Sequence, residues 1–379
     1  MFADNQLIKR SYNKVLDFNK ALDFCKNMWA KFRNFSHSIF FLIIGICFTL
    51  QVAFWQSADL VWMTLIVSFL AIPLLDSLAG LRKFPSLASF GTFAHWVPRL
   101  YFLLHFYLLY TVLSTFEFTS FVGLLLNGLA LGTITGGVGI TIAHELMHRT
   151  KKVDRFLSKL IMASVLYGHF CIEHVKGHHV RVATPNDPAT AKRGQSLYAF
   201  FLQSISGTLL HSFRLQKLFL EEHNIKMFSF KNELFLTLLC SFFFISVSWF
   251  FFGFYALLLF VLQAIWAVLL LEATNYIEHY GLLRSKNKSG KYESVSYKHS
   301  WNSNHVISNW ILFHLPWHSH HHKSMSKAYH ELEPIDNAPQ MPFGYPAMIV
   351  ISFFPFVFIP LMERQLKLYQ EREEKVITV

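Results

Sequence analysis

The sequence predicts an all-α polytopic integral membrane protein, with six transmembrane helices and a histidine-rich cap on the cytoplasmic side. Three observations predict it. The 379 residues are 53% hydrophobic but only 15% charged, where soluble domains carry roughly 25% charged residues. Long uncharged runs alternate with short basic segments along the whole chain. Of the 20 histidines, all but His37, His95 and His105 lie at or beyond His144, gathered where apolar runs end.

Residues 1–37 are polar and basic, with no short apolar core or small-residue cleavage site, so no signal peptide is expected there. Within them, Val15, Phe18, Leu22, Cys25, Trp29 and Phe32 recur at helical spacing between lysines, which predicts a helix lying on the anionic inner surface. Six apolar runs follow: Ser38–Trp55, Leu60–Ala79, Trp96–Phe116, Phe121–Ala143, Leu234–Phe252 and Phe254–Ala273. Each is close to the roughly 20 residues that a bilayer core requires. The turns Gln56–Asp59, Glu117–Ser120 and Gly253 lack Lys and Arg, whereas the N-terminus, Gly80–His95, His144–Lys159 and the chain beyond Asn275 carry many. Every basic loop then falls on one side, read as the cytoplasm, with both termini there. One membrane domain results. It comprises the interfacial segment 1–37, a six-helix region 38–273 with a cytoplasmic insert 144–233, and a cap with an apolar tail over 274–379.

Three segments resist a simple spanning assignment. Asp76, with Pro73 nearby, falls inside the second span, where a carboxylate must face protein or water unless it ends the helix at the interface. Asp154–Glu173 is apolar but interrupted by Lys159, Tyr167 and His169, and is expected to be a re-entrant or surface helix. Phe343–Met362 contains Pro346, Pro355 and Pro360, so it is expected to pack without crossing.

The net charge of +11 does not signal nucleic acid, because the basic residues mark loop ends rather than one groove. Cys25, Cys47, Cys171 and Cys240 are scattered with no C-x-x-C, which excludes a zinc ribbon, an iron–sulfur site or a fused rubredoxin module.

The histidines form four groups. In "HELMH", His144 and His148 stand four apart and share one helical face, so both can reach one ion. In "EHVKGHH", His174 and His178 repeat that spacing, and His179 is rotated by about 100° toward a second ion. His279 follows the sixth span in "NYIEHYG". "HLPWHSHHHKS" adds His318, His321 and His322, with His320 expected to face away. His169, His299, His305 and His314 are left as supporting residues. So many neutral imidazoles exceed the four ligands one zinc takes, which implies two metals, and imidazole alone does not choose between Zn, Cu, Fe and Ni.

"HELMHR", "EHVKGHHVRVATPNDPA", "NYIEHYGLLR" and "SWNSNH…LPWHSHHH…DNAPQMP" resemble the membrane-bound alkane 1-monooxygenases, a family related to xylene monooxygenase, over roughly residues 35–345. The "NYIEHYG" element distinguishes that group from fatty-acid desaturases and sterol oxidases. The resemblance implies a non-haem centre of two Fe ions held by His144, His148, His174, His178, His179, His279, His318, His321 and His322. The chain departs from the family in its last box: Pro316 and Trp317 replace Gln-Arg, and His320 replaces an Asp.

By the same resemblance the protein hydroxylates the terminal C–H of medium- or long-chain n-alkanes to 1-alkanols, with O₂ as co-substrate. Two electrons come from a small acidic rubredoxin or ferredoxin with its NAD(P)H-dependent reductase, and the expected location is the cell inner membrane. Glu145, Glu173, Asp187, Glu272 and Glu278 lie near ligands in sequence and can orient them, with Asp187 and Glu278 leading; Asn275 is a further candidate. Trp55, Trp62 and Phe69 are candidate walls of a substrate tunnel. Other readings keep the chemistry but change the substrate to an alkyl-aromatic, a terpene or a fatty acyl chain, with hydroxylation or desaturation as the outcome. More distant ones are an intramembrane H-E-x-x-H zinc protease with Glu145 as base and a histidine-lined metal transporter.

Overall fold

A computed structural model of the chain describes residues 60–81 and 91–377. The first expected span, the N-terminal interfacial helix and Trp55 lie outside them. Among the described residues the structure is helical, with only isolated β-bridges. Five helices are long and apolar enough to cross a bilayer: α1 (Trp62–Ala79), α2 (Gly91–Thr115, apolar over Ala94–Thr115), α3 (Phe121–Met147), a later helix Glu233–Phe252 and its successor Phe254–His279.

The sequence sets their ends by ordinary means. Ser120 caps α3 by accepting the Gly123 N–H at 3.0 Å. Gly253, at φ +86°, ends one span and starts the next, a conformation that costs glycine little. The spans on either side of it extend over Glu233–Phe252 and Phe254–His279, the first capped by the Asn232 side chain. Two spans run past their expected ends. α3 continues to Met147 rather than Ala143, and the last span continues to His279 rather than Ala273, because both final turns enter protein instead of water.

Between these spans lie α4 (Lys152–Ser164), α5 (170–181) and α6 (Leu197–Glu222), so the spans flanking Gly253 become α7 and α8. Beyond them come α9 (Val306–Ile311), α10 (His318–Lys323), α11 (Tyr345–Ser352) and α12 (Pro355–Ile377). The segment expected to be re-entrant or superficial descends as α4 until the Ser164 carbonyl accepts a hydrogen bond from Gln263 of α8 at 2.9 Å. It then turns back through Leu166, at φ +57°. The proline-bearing tail packs as expected: Met348, Phe358, Met362 and Leu366 bury against Tyr276 and Tyr280 of α8.

α3 and α8 form the tightest helix pair. Gly128, Gly132 and Gly136 face α8, and a Cβ on Gly132 would lie 2.6 Å from the Gln263 carbonyl oxygen. Close backbone approach through small residues is how helices associate where lipid removes the usual hydrophobic drive. Polar side chains pair across this interface: Thr135 donates to Gln263 Oε1 at 2.7 Å, and Trp266 Nε1–H donates to Thr133 at 2.9 Å.

Asp76 neither ends a helix in water nor faces lipid. It is 1% exposed. Its Oδ1 accepts the N–H groups of Ile307 (2.7 Å) and Ser308 (3.1 Å), and its Oδ2 takes the Ser308 hydroxyl. It therefore caps the start of α9 from a helix far away in sequence. Asp76→Ala should lower stability by about 2 kcal/mol, the scale of a lost cap with buried donors left unpaired. A reduced midpoint in detergent thermal denaturation would measure it.

Candidate metal centre

Four elements bring their imidazoles to one place at the C-terminal ends of α3 and α8. His144 and His148 end α3, His279 is the last residue of α8, His174, His178 and His179 lie on α5, and His318, His321 and His322 lie on α10. The rings sort into two adjoining groups. His144, His148, His174, His179 and His321 make one, and His178, His279, His318 and His322 the other; within each, one ligand atom per residue lies within 4.8 Å of all the rest.

The pairing on α5 differs from the one that helical spacing suggests. His174 and His178, expected to share an ion, fall in different groups, and His174 joins His179 instead. The cause is a π-helical turn over His174–His178, closed by the His179 N–H bonding to the His174 carbonyl. An i→i+5 turn stacks residues five apart and turns the fourth away. The Nε2 atoms of His174 and His179 are consequently 3.1 Å apart, and His321 Nε2 lies 3.1 Å from His179 Nε2. In the other group, His322 Nε2 sits 2.9 Å from His318 Nε2 and 3.3 Å from His178 Nε2, while His318 Nε2 lies 3.2 Å from His279 Nε2.

Ring nitrogens crowded this way cannot satisfy one another, since a neutral imidazole carries one proton and most of these atoms must present lone pairs. His144 Nε2 and His148 Nε2 are buried with no hydrogen-bond partner among the described residues. Burial, reinforced by the neighbouring rings, holds His174, His179, His318, His321 and His322 well below the ordinary imidazole range, so they are neutral near pH 7. Neutral, converging nitrogens with nothing else to bond are what a cation site requires, and the donor set fits a transition metal.

His178 has a different environment. Burial disfavours its charge, but Asp187 more than compensates and raises its pKa. Its Nδ1–H donates to Asp187 Oδ2 at 2.9 Å, the carboxylate–histidine arrangement that fixes a ligand's tautomer and orientation. Thr190 donates to the same oxygen at 2.6 Å, and the Ala189 N–H donates to Oδ1 at 3.2 Å, so Asp187 is itself held in place.

The other candidate carboxylates have other roles. Glu278 does not back His279: its Oε2 lies 3.2 Å from His318 Nε2, on the ring's metal-facing side. Glu145 pairs with Arg149 (3.0 Å) and accepts the Tyr329 N–H (3.1 Å) instead of orienting a neighbouring ring. Glu173 bonds His211 at 2.9 Å, and Glu272 takes the hydroxyls of Tyr167 and Ser204. Asn275 donates to Glu272 at 3.2 Å and lines the cavity described below. His211, on α6, belongs to no histidine box, and sequence reading passed over it. Thr190 was signalled only by its place three residues after Asp187.

His320 turns away from both groups and accepts the Glu333 N–H at 2.9 Å. Trp317 is buried and stacks on His314, with ring centroids 4.2 Å apart, and the Pro316 carbonyl accepts the Ser303 N–H at 2.9 Å. The altered residues of this box are thus packed into the cap. His314 Nδ1 faces the Tyr329 carbonyl, His305 pairs with Ser303, His299 accepts the Ser296 N–H, and His169 packs edge-on against Tyr167.

An apolar cavity opens onto both groups. Its walls are Phe69 and Ile72 of α1, Gly137 and Thr141 of α3, Leu271 and Thr274 of α8, and Ile311 and Leu312 beneath the cap, and it ends at His144, His174, His318 and Glu278. Phe69 is thus part of the wall. Trp62 is not: it is 41% exposed near the start of α1, where an indole suits the lipid–water boundary.

Fold and site together define a polytopic helical membrane protein with a histidine-built metal-binding site beside an apolar cavity. The model of the fatty acid desaturase family matches residues 119–352, more than half of the chain, and the protein belongs to that family. Curated relatives narrow the likeness. Alkane 1-monooxygenase 1 of Pseudomonas aeruginosa is 39% identical over 250 residues, covering 66% of this chain and 65% of that protein. Alkane 1-monooxygenase 1 of Alcanivorax borkumensis is 41% identical over 251 residues, covering 66% and 60%. The more distant xylene/toluene monooxygenase hydroxylase component XylM of Pseudomonas putida is 25% identical over 246 residues, covering 64% and 65%. The matched region thus spans just under two thirds of the length of these relatives.

Asp187→Asn should keep the fold but loosen His178, lowering metal retention by roughly 10- to 100-fold, as expected for a lost carboxylate partner of a ligand. Metal analysis after dialysis against a graded chelator series would report it.

Proposed function

We propose that the protein is a membrane alkane monooxygenase that hydroxylates the terminal carbon of medium- or long-chain n-alkanes. The observation that carries this reading is the apolar cavity ending on imidazoles of both histidine groups. A protease needs a water-filled cleft for peptide, and a transporter needs ligands near mid-membrane rather than at helix ends. The protease reading is weakened further because Glu145 is committed to Arg149 and the Tyr329 backbone.

The groups of five and four histidines suit two metal ions, which this reading takes to be iron, in keeping with the family likeness. When bound, the iron pair supplies oxygen activation, so that R–H, O₂, two electrons and two protons give R–OH and water. The chain's own residues do the rest. His178, fixed by Asp187, and His144 and His148, at the end of a tightly packed helix, hold the donor geometry. Thr141, Leu271 and Ile311 line an apolar channel that excludes water and presents one chain end at the site. Glu278, lining that channel with Oε2 against His318, is placed to hold or pass a proton at that oxygen.

The electrons come from a small acidic rubredoxin or ferredoxin and its NAD(P)H-dependent reductase. Exposed lysines around the metal end, Lys151, Lys323 and Lys327 among them, offer a surface of matching charge. The positive-inside pattern puts this face and both termini in the cytoplasm, and the protein in the inner membrane.

Purified protein should contain two irons per chain and convert n-octane to 1-octanol carrying one atom of labelled O₂, in preference to xylene or a fatty acyl substrate. His178→Ala should keep the fold by circular dichroism yet lose hydroxylation by at least ~100-fold, the upper end of losses for ligand-shell changes. Retained turnover in that variant, or one zinc in place of the irons, would remove the reading.

A further inference from the structure

We propose that Gly137 sets the length of hydrocarbon chain the cavity admits; this inference rests on the alkane-oxidising reading above. One face of α3 forms a wall of the cavity through Thr133, Gly137, Thr141 and His144. Along that wall the helical rise places Gly137 about 10 Å from His144, and Thr133 about 16 Å from it.

The glycines of α3 differ in what they face. A Cβ on Gly128, Gly132 or Gly136 would strike α8, at 2.8, 2.6 and 2.7 Å respectively, so helix packing accounts for all three. A Cβ on Gly137 would meet nothing within 4 Å among the described residues. Gly137 is also only half-buried in a stretch whose neighbours are buried, because its bare backbone faces the cavity. Glycine within a helix costs stability relative to alanine, and no packing contact here requires it. The missing side chain keeps the passage open. The same turn is held by Thr141, whose hydroxyl donates to the Gly137 carbonyl at 2.6 Å, so a side chain added at Gly137 would project into the space and not displace the helix.

An extended hydrocarbon advances about 1.25 Å per carbon, from a C–C bond of about 1.5 Å at a near-tetrahedral angle. A chain with its end at the histidines therefore passes Gly137 at about its eighth carbon. Hexane stops short of that point; dodecane crosses it and reaches toward Thr133, Phe69 and Leu270.

The test compares wild type, Gly137→Ala and Gly137→Leu on n-hexane and n-dodecane. The dodecane-to-hexane turnover ratio should fall at least tenfold in Gly137→Leu and by a smaller factor in Gly137→Ala. An unchanged ratio in folded, metal-loaded Gly137→Leu would overturn the proposal. A second readout needs no turnover. The thiol introduced by Gly137→Cys, measured with a small methanethiosulfonate above the wild-type background, should be protected at least fivefold by dodecane and left reactive by hexane. Equal protection by both, or by neither, overturns the proposal even if Gly137→Leu does not fold. If wild type oxidises no alkane while the thiol shows length-dependent protection, the functional reading fails and the role of Gly137 in the cavity stands.

Discussion

The structure is organised around the burial of neutral imidazoles whose lone pairs face one another. His174, His179 and His321 bring their Nε2 atoms to 3.1 Å, and His318, His322, His279 and His178 crowd theirs comparably. Apart from a cation, little could make such an arrangement favourable in a space poor in water. Each ring must also be delivered by a separate chain segment, so the fold has to hold four helix ends in register. The glycine-mediated approach of α3 to α8 does this for two of them, since it fixes how far His144 and His148 stand from His279. The insert between α3 and α7 supplies another through Asp187, which grips His178, and the cap supplies the last through α10, which carries His318, His321 and His322.

The same packing creates the cavity. Gly132 and Gly136 close one face of α3 on α8, while the face next to it, with Thr133, Gly137 and Thr141, lines the apolar space. Its polar end holds Glu278 and the imidazoles of His144, His174 and His318, and the remainder is mostly apolar. A site of this shape would orient the proposed substrate by confinement, since an alkane offers no hydrogen bond to read.

Much of this was legible in the sequence, for physical reasons that also explain the gaps. The spans were visible because lipid demands uninterrupted apolar runs, and Glu233–Phe252 lies within one residue of its expected start. The histidines were visible because metal ligation imposes spacing on helices. What stayed hidden depended on local geometry or distant partners. The π-helical turn that reassigns His174 and His178 leaves no mark in residue spacing. The partner of Asp76 lies on another helix, and Glu173 meets His211 across a gap that no motif bridges. Glu145 looked like a ligand's support from its position, but the adjacent turn supplies Arg149 and captures it.

The capping of α9 by Asp76 has a mechanical consequence. That short helix contributes Ile311 to the ceiling of the cavity, and α1 contributes Phe69 and Ile72 to its side. With the two joined through a buried carboxylate gripping consecutive amides, ceiling and side cannot hinge apart at their junction. An apolar molecule could not reach the cavity through that junction unless α1 and the ceiling moved together as one rigid flap.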